Sequence, residues 1–372
     1  MIELTPEAIP PIAATIGSPL TYAYRTKLTP HFERPPKWAT RDETKKAAIQ
    51  ASLDAGVRPE WLTIGFEEAV KTAGGPPGLD IEECPIATSV INTKYAEDRQ
   101  KIVRDIFSYK KGVSLMYRDS LDPSIPIEKI QDADELSEAF RKHVCVTDQK
   151  RGIARELVGD KGHLFEFAAG GFFQNNNSIL GRLVGYVQES VLDLTKTGIS
   201  LTHLVDTYCG TGLFAITLSP YFSRVAGIEI SSQAIENATR NAEINKSLNE
   251  RLRGEFPSSP SASTDISFRS GDASDIFSSV TPDFPAANTV VIIDPPRKGC
   301  DQPFLDQLVA FKPEVVVYVS CNVHTQARDV GWLVGGEGAK SRARYRLEKL
   351  VGFDLFPQTA HVESVAVLRL CH

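Results

Sequence analysis

From Leu201 onward, apolar β-type runs alternate with stretches of helical periodicity. THLVDTY, RVAGIEI, ISFRSGD, NTVVIID and PEVVVYVS are each followed by a segment that suits a helix, the pattern of a parallel, doubly wound sheet. Ahead of the first strand, Ile179, Leu180, Leu183, Val184, Val187 and Val191 recur at the spacing of one buried helical face, which predicts a helix beginning after Asn177. Between about Thr21 and Phe167 the pattern changes. Short alternating segments such as LTYAYRTKL, GVSLMYRD and KHVCVTD surround one amphipathic stretch across Ile86 to Ser108. Loops rich in Gly, Pro and Asp interrupt it at Thr72–Asp80 and Arg118–Ile127. The expectation is a small α+β domain over residues 1–167 and an α/β domain over 168–372. The polar segment Ser247–Thr264, containing PSSPSAST, is expected to be a mobile surface insertion.

At 372 residues the chain exceeds the ~250–300 that one core usually holds, which agrees with two domains. Its 42% hydrophobic and 24% charged residues are those of a globular protein, and no run approaches the ~20 apolar residues of a membrane span. MIELTPEAIPPIAATIG lacks a basic flank before an apolar run, so no secretory signal is read there. An intracellular, reducing compartment is expected, cytoplasm or nucleus, with the mitochondrion left open. Cys84, Cys145, Cys209, Cys300, Cys321 and Cys371 show neither CxxC nor zinc spacing, which speaks against a disulfide framework and against a metal site. The net charge of −6 argues against holding nucleic acid by overall basicity. KKGVSLMYR from Lys110, RKH at Arg141 and KSRARYR from Lys340 are the local basic candidates, each also readable as a solvated face.

Candidate chemistry gathers where the strands end. VDTYCGTGLFAITL sets a Gly-rich turn between strand and helix, where missing side chains let a nucleotide-like cofactor approach the helix N-terminus. Glu229 ends the next strand near the ~20-residue offset at which an acidic side chain meets ribose hydroxyls. The turn opens from Asp206 and lacks the full GxGxxG, which fits a class I methyltransferase better than a hydride-transfer enzyme. Asp272, in FRSGDASDIF, falls where such folds meet the adenine.

IIDPPRKG puts Asp294 at the carboxyl end of its strand, followed by two stiffening prolines. Arg297 stands where amino-group methyltransferases carry an aromatic residue, which weakens an exocyclic nitrogen as the target. VVVYVSCNVHTQARD brings Cys321 out at the same edge. A lone cysteine usually reads as a small buried hydrophobe. Strand-end placement, the polar Asn322 and a helix starting nearby favour a reactive thiolate instead. Glu363 begins the last strand-like run, and alone it reads as a surface carboxylate; His361 beside it reads as a packing residue.

Together these residues resemble the RNA 5-methyluridine methyltransferases, in particular the tRNA (uracil-5-)-methyltransferase group that modifies the T-loop uridine, position 54. The resemblance rests on FFQNN at Phe172–Asn176, DTYCGTG at Asp206–Gly212, IE at Ile228–Glu229, DPPRKG at Asp294–Gly299, SCNVHTQARD at Ser320–Asp329 and FPQTAHVE at Phe356–Glu363. It is strong from about Phe165 onward and extends weakly to YRTKL at Tyr24. It implies a class I S-adenosylmethionine-dependent methyltransferase, Rossmann-like, with a tRNA partner and no metal. It also implies Cys321 as nucleophile and Glu363 as base. Gln174, Tyr208, Gly210, Gly212, Glu229, Asp272 and Asp294 then fall at the cofactor, and Phe172, Asn176, Arg297 and Asn322 at the substrate. Leu213 stands where some members carry a polar cofactor contact. The small β-barrel and Cys-rich segment that eukaryotic members often carry ahead of the catalytic part are not visible.

Three other readings share parts of this pattern. A ribosomal RNA uridine methyltransferase would share every catalytic block, although members with an iron–sulfur cluster need four clustered cysteines. A cytosine-5 RNA enzyme pairs two strand-end cysteines, and the DPP block here holds Arg297. A catalytically inactive RNA-binding or RNA-folding factor would have little reason to keep both Cys321 and Glu363.

Overall fold

The computed structural model describes residues 9–67, 78–131, 142–255, 264–271, 277, 280, 283–335 and 345–372. They form two units, one of residues 22–155 and 168–171, the other of the chain before 22, residues 156–167 and residues 172–372. The boundary expected at 167 is therefore replaced by several crossings, because the stretch 156–167 packs with the larger unit.

The larger unit is built on a seven-stranded sheet: β1 (His203–Thr207), β2 (Arg224–Glu229), β3 (Asp265–Ser270), β4 (Thr289–Ile293), β5 (Val315–Ser320), β6 (Tyr345–Phe353) and β7 (Glu363–Leu370). Their spatial order is β3-β2-β1-β4-β5-β7-β6. The first five run parallel, and β7 is antiparallel to both of its neighbours. This is the doubly wound α/β sheet expected of a class I methyltransferase. Every residue of β4 and β5 is buried, as strands covered on both faces require, hence the unbroken TVVII and VVVYVS.

Six helices of this unit are α1 (Asn177–Thr195), α2 (Leu213–Leu218), α3 (Ser232–Ile244), α4 (Lys246–Gly254), α5 (Gln302–Phe311) and α6 (Val323–Val334). All six apolar positions expected on the buried face of α1 are buried. The polar start of the expected insertion is instead helix α4, and residues 256–263 lie outside the described residues. Three asparagines at four-residue spacing on α3, its end and α4 point at the strand His163–Ala168. Asn241 Oδ1 accepts from the Glu166 N–H at 2.8 Å, and Asn245 Oδ1 from the Leu164 N–H at 2.9 Å. Asn245 Nδ2 returns a bond to the Leu164 carbonyl at 2.7 Å, and Asn249 Oδ1 is 2.8 Å from His163 Nε2. This ladder is what draws 156–167 into the larger unit.

The smaller unit is α+β. The amphipathic stretch expected across Ile86–Ser108 is a helix over Ser89–Arg104 and a short turn over Ile106–Ser108, burying Ile91, Tyr95, Arg99 and Ile102. A three-stranded sheet of Lys27–Leu28, Tyr117–Leu121 and His143–Val146 lies in this unit. Among the described residues no helix is long and apolar enough to cross a membrane.

Candidate active site

The carboxyl ends of β1, β2, β4 and β5 and the start of β7 share one edge of the sheet. At β1 the chain turns through Tyr208, Gly210 and Gly212, all with positive φ, of 60°, 53° and 90°. Holding Tyr208 left-handed costs free energy, a strain that clusters at ligand sites. At Gly212 a Cβ would come within 2.8 Å of Ile216, whereas a Cβ on Gly210 would meet nothing within 4 Å, so the turn opens to space there. Two carboxylates brace the turn. Glu229 accepts from the Gly210 N–H at 3.3 Å and the Ser231 N–H at 3.0 Å. Asp206 Oδ2 accepts from the Ala215 N–H at 2.8 Å at the start of α2. Asp206 Oδ1 has no partner among the described residues. Burial, with smaller contributions from Asp294 and Glu229, pushes the Asp206 carboxyl up to about 8. The turn, its open glycine and the Glu229 carboxylate at the end of β2 suit a nucleoside-bearing cofactor.

Across the same edge, Ser320 of β5 pairs with Ser364 of β7, and Cys321 and Glu363 are the next residues outward. Glu363 is buried, and its Oε2 has no partner among the described residues. Burial first, then the Asp294 carboxyl, raises Glu363 to about 8, while Arg297 pulls it down. Asp294 is pushed up to about 7 by burial. Cys321, part-buried, is raised by burial, then by Glu363 and Asp294, with Arg297 opposing. The thiolate-stabilising helix start expected at Cys321 is present, since α6 begins at Val323, yet the net shift is upward. Protonated carboxyls at Asp294 and Glu363 remove the repulsive part of that shift, leaving burial opposed by Arg297 and a backbone hydrogen bond.

The loop carrying Arg297 is locked to α6. The Arg297 carbonyl accepts from Asn322 Nδ2 at 2.9 Å and Thr325 Oγ1 at 3.2 Å. Arg328 Nη2 reaches the Lys298 and Cys300 carbonyls at 3.1 and 3.0 Å. The buried Asp329 Oδ2 accepts from the Cys300 N–H at 2.8 Å and the Tyr318 hydroxyl at 2.7 Å. Gly299 has φ 76°, and a Cβ there would strike Arg328 and Asp329 within 2.7 Å. Gln326 ties β5 to β7: its Nε2 donates to the carbonyls of Tyr318 on β5 and Ser364 on β7, and its Oε1 accepts from the Ser364 hydroxyl.

The sheet edge thus collects Tyr208, Gly210, Gly212, Glu229, Asp294, Cys321 and Glu363. Gln174 is buried, and no hydrogen bond of its side chain is seen among the described residues. Phe172 is 74% exposed, a large aromatic ring that folding leaves in solvent. Two residues expected at the substrate have protein partners in this structure. Asn176 is fully buried: its Nδ2 donates to Ser18 Oγ and the Leu355 carbonyl, both at 3.0 Å, and its Oδ1 accepts from Ser178 Oγ at 2.6 Å. Its amide is consumed in packing. Asn322 caps α6 through the His324 N–H at 3.1 Å and holds the Arg297 carbonyl, so it positions the loop. Asp272, Arg141 and residues 340–344 lie outside the described residues. Gln326, Asp329 and Asn241 were not singled out from sequence, because a buried amide or carboxylate inside a helical run carries no periodic signal.

Residues 113–370 match the family model described as tRNA (Uracil-5-)-methyltransferase. A Schizosaccharomyces pombe protein named tRNA (uracil(54)-C(5))-methyltransferase is 40% identical over 372 residues, covering 98% of this chain and 58% of the relative. The Saccharomyces cerevisiae protein of the same name is 37% identical over 380 residues, covering 97% and 55%. The chain spans a little over half the length of these curated relatives. The crystal structure of Pyrococcus abyssi tRNA (uracil-54, C5)-methyltransferase in complex with S-adenosyl-L-homocysteine superposes with a TM-score of 0.59 at 22% identity, over 95% of this chain and 78% of that one. That likeness establishes the fold.

Proposed function

Because the chain belongs to the tRNA (uracil-5-)-methyltransferase family, we propose that it methylates carbon 5 of a uridine in tRNA, the T-loop uridine at position 54, through a covalent adduct on Cys321. S-adenosyl-L-methionine, when bound, supplies an electrophilic methyl group. The residues that would hold it are the Tyr208–Gly212 turn, Glu229 and Asp294, with Gln174 and Asp272 as further contacts. Phe172 and Arg297 are the proposed contacts to the uridine.

The carrying observation is Cys321 at the same end of the β5–β7 ladder as Glu363, a buried carboxyl that acts on its thiol and whose Oε2 has no partner among the described residues. Carbon 5 of uracil is a weak nucleophile, so both a nucleophile and a base are needed. In the proposed course Cys321 Sγ bonds to carbon 6, the C5–C6 double bond opens, and its electrons form an enolate. Carbon 5 then takes the methyl group. Glu363 accepts the carbon 5 proton, the C5–C6 double bond re-forms, and the C6–S bond breaks to return the Cys321 thiolate. Arg297, which lowers both Cys321 and Glu363, favours the ionised form of each.

RNA carrying 5-fluorouridine at the target tests this, since fluorine cannot leave as a proton does. With S-adenosylmethionine present, the expected product is a methylated protein–RNA adduct that survives a denaturing gel. Methyl transfer to unmodified tRNA without adduct formation on the fluorinated RNA would remove the covalent course.

A further inference from the structure

Two cations face each other in the smaller unit. Lys27 is the direct antiparallel partner of Arg118. Opposed residues on such a ladder share a face with Cβ atoms ~4.5–5.5 Å apart, and like charges there are destabilising. Arg25, two residues away, belongs to the same face. The ammonium of Lys27 donates to the Gly170 and Gly171 carbonyls at 2.9 and 3.2 Å. Arg118 donates to the carbonyls of that same turn, to Ala169 at 3.3 Å and Gly171 at 2.9 Å. Arg25 spends its Nε on the Lys27 carbonyl at 2.9 Å.

The carbonyl oxygens bound by Lys27 and Arg25 satisfy donors but bring no net charge. Among the described residues neither Lys27 nor Arg25 has an ion pair with a carboxylate. Asp119, beside Arg118, alternates to the other face and sits 2.5 Å from His143 Nδ1. Burial lowers the Lys27 ammonium below the ordinary lysine range, and the neighbouring Arg118 and Arg25 charges lower it further. This happens in a chain whose net charge is −6, where acidic partners are plentiful elsewhere. One hydrogen of the Lys27 ammonium and the terminal nitrogens of Arg25 remain for an outside acceptor.

We propose that Arg25 and Lys27, backed by Arg118, form a binding site for a phosphate of the RNA backbone. A phosphate supplies the missing negative charge and several acceptor oxygens at once, and its bonds to Arg and Lys are charge-assisted. The identity of the partner as RNA rests on the function proposed above.

The test is fluorescence anisotropy of the full chain with a labelled T-arm stem-loop RNA, without S-adenosylmethionine, across roughly 50 to 200 mM salt. Lys27→Gln is expected to weaken binding several-fold at the low end and to reduce the slope of log affinity against log salt by about one. Lys27→Arg should restore both. A role confined to holding the Ala169–Gly171 turn would leave the slope unchanged. Arg25→Gln, on a side chain outside that turn, should also flatten the slope, and it decides the matter if circular dichroism shows Lys27→Gln unfolded. Unchanged slopes in the folded variants, or a wild-type chain that does not bind the RNA, overturn the site. A wild-type chain that binds the RNA yet forms no 5-methyluridine overturns the catalytic reading and leaves the site standing on its slopes.

Discussion

Cys321 follows and Glu363 precedes the Ser320–Ser364 pair that ends the β5–β7 ladder, and the Glu363 carboxyl is among the groups that raise the Cys321 thiol. The two positions thus leave the ladder at the same edge of the sheet. Cys321→Ala is therefore expected to abolish both methylation and the covalent RNA adduct, while calorimetry shows S-adenosylhomocysteine binding largely retained. Turnover in that variant would end the assignment of Cys321.

Glu363→Gln keeps size and polarity but loses the basic oxygen, so the last step should stall and not the first. The expected outcome is accumulated protein–RNA adduct on denaturing gels and much slower turnover, with Cys321→Ala as the control without adduct. Wild-type turnover with no accumulated adduct would move the base elsewhere.

In the free protein Glu363 is raised to about 8, so its basic form grows as pH rises through that value. The acid limb of kcat/KM should follow. Arg297 holds Glu363 down, and Arg297→Gln should shift the limb to higher pH, by a fraction of a unit because the guanidinium is exposed and screened. A limb that stays in place would separate Glu363 from the rate-limiting ionisation.

Asp206, Asp294 and Glu363 all have carboxyls raised by burial, to about 8, 7 and 8. The folded chain then binds more protons than the unfolded chain between roughly pH 4 and 8. These groups contribute stability that is present below the unfolded pKa and lost as pH rises through the folded one. Differential scanning calorimetry of the ligand-free protein should show Tm falling between about pH 5 and 8, by ~2–4 °C per kcal/mol lost. Asp206→Asn should flatten part of that fall.

Glu229 both braces Gly210 and ends β2 where a ribose would lie. Glu229→Ala is expected to weaken S-adenosylhomocysteine binding by ~1.5–3 kcal/mol, the cost of a lost hydrogen bond to a charged group. That is about ten- to a hundredfold in Kd by calorimetry. Unchanged affinity would count against the pocket.

The strands of the catalytic unit were legible because burial on both faces writes unbroken apolar runs such as VVVYVS, and α1 because one buried face repeats with the helical period. Cys321 and Glu363 were legible as strand-end residues within recognisable blocks. An asparagine reads alike in sequence whether its amide faces a ligand or a neighbouring carbonyl, so the partners of Asn176 at Leu355 and of Asn322 at Arg297 were not legible. Lys27 was quoted within YRTKL without a role of its own, for the opposite reason. Its significance comes from facing Arg118, far away along the chain, a pairing that the short YRTKL block does not reveal.

The asparagine ladder of Asn241, Asn245 and Asn249 has a consequence for solubility. Among the described residues the strand His163–Ala168 has a single partner strand, and without the amides its other side would present unpaired N–H and C=O groups. Such an open edge is a template on which a second chain can add itself. The amides fill the alternate backbone positions at Leu164 and Glu166 as a neighbouring strand would, from a helix that cannot propagate the sheet. The segment is thereby closed to self-association, and damage to the ladder should reveal itself as aggregation before it is felt in catalysis.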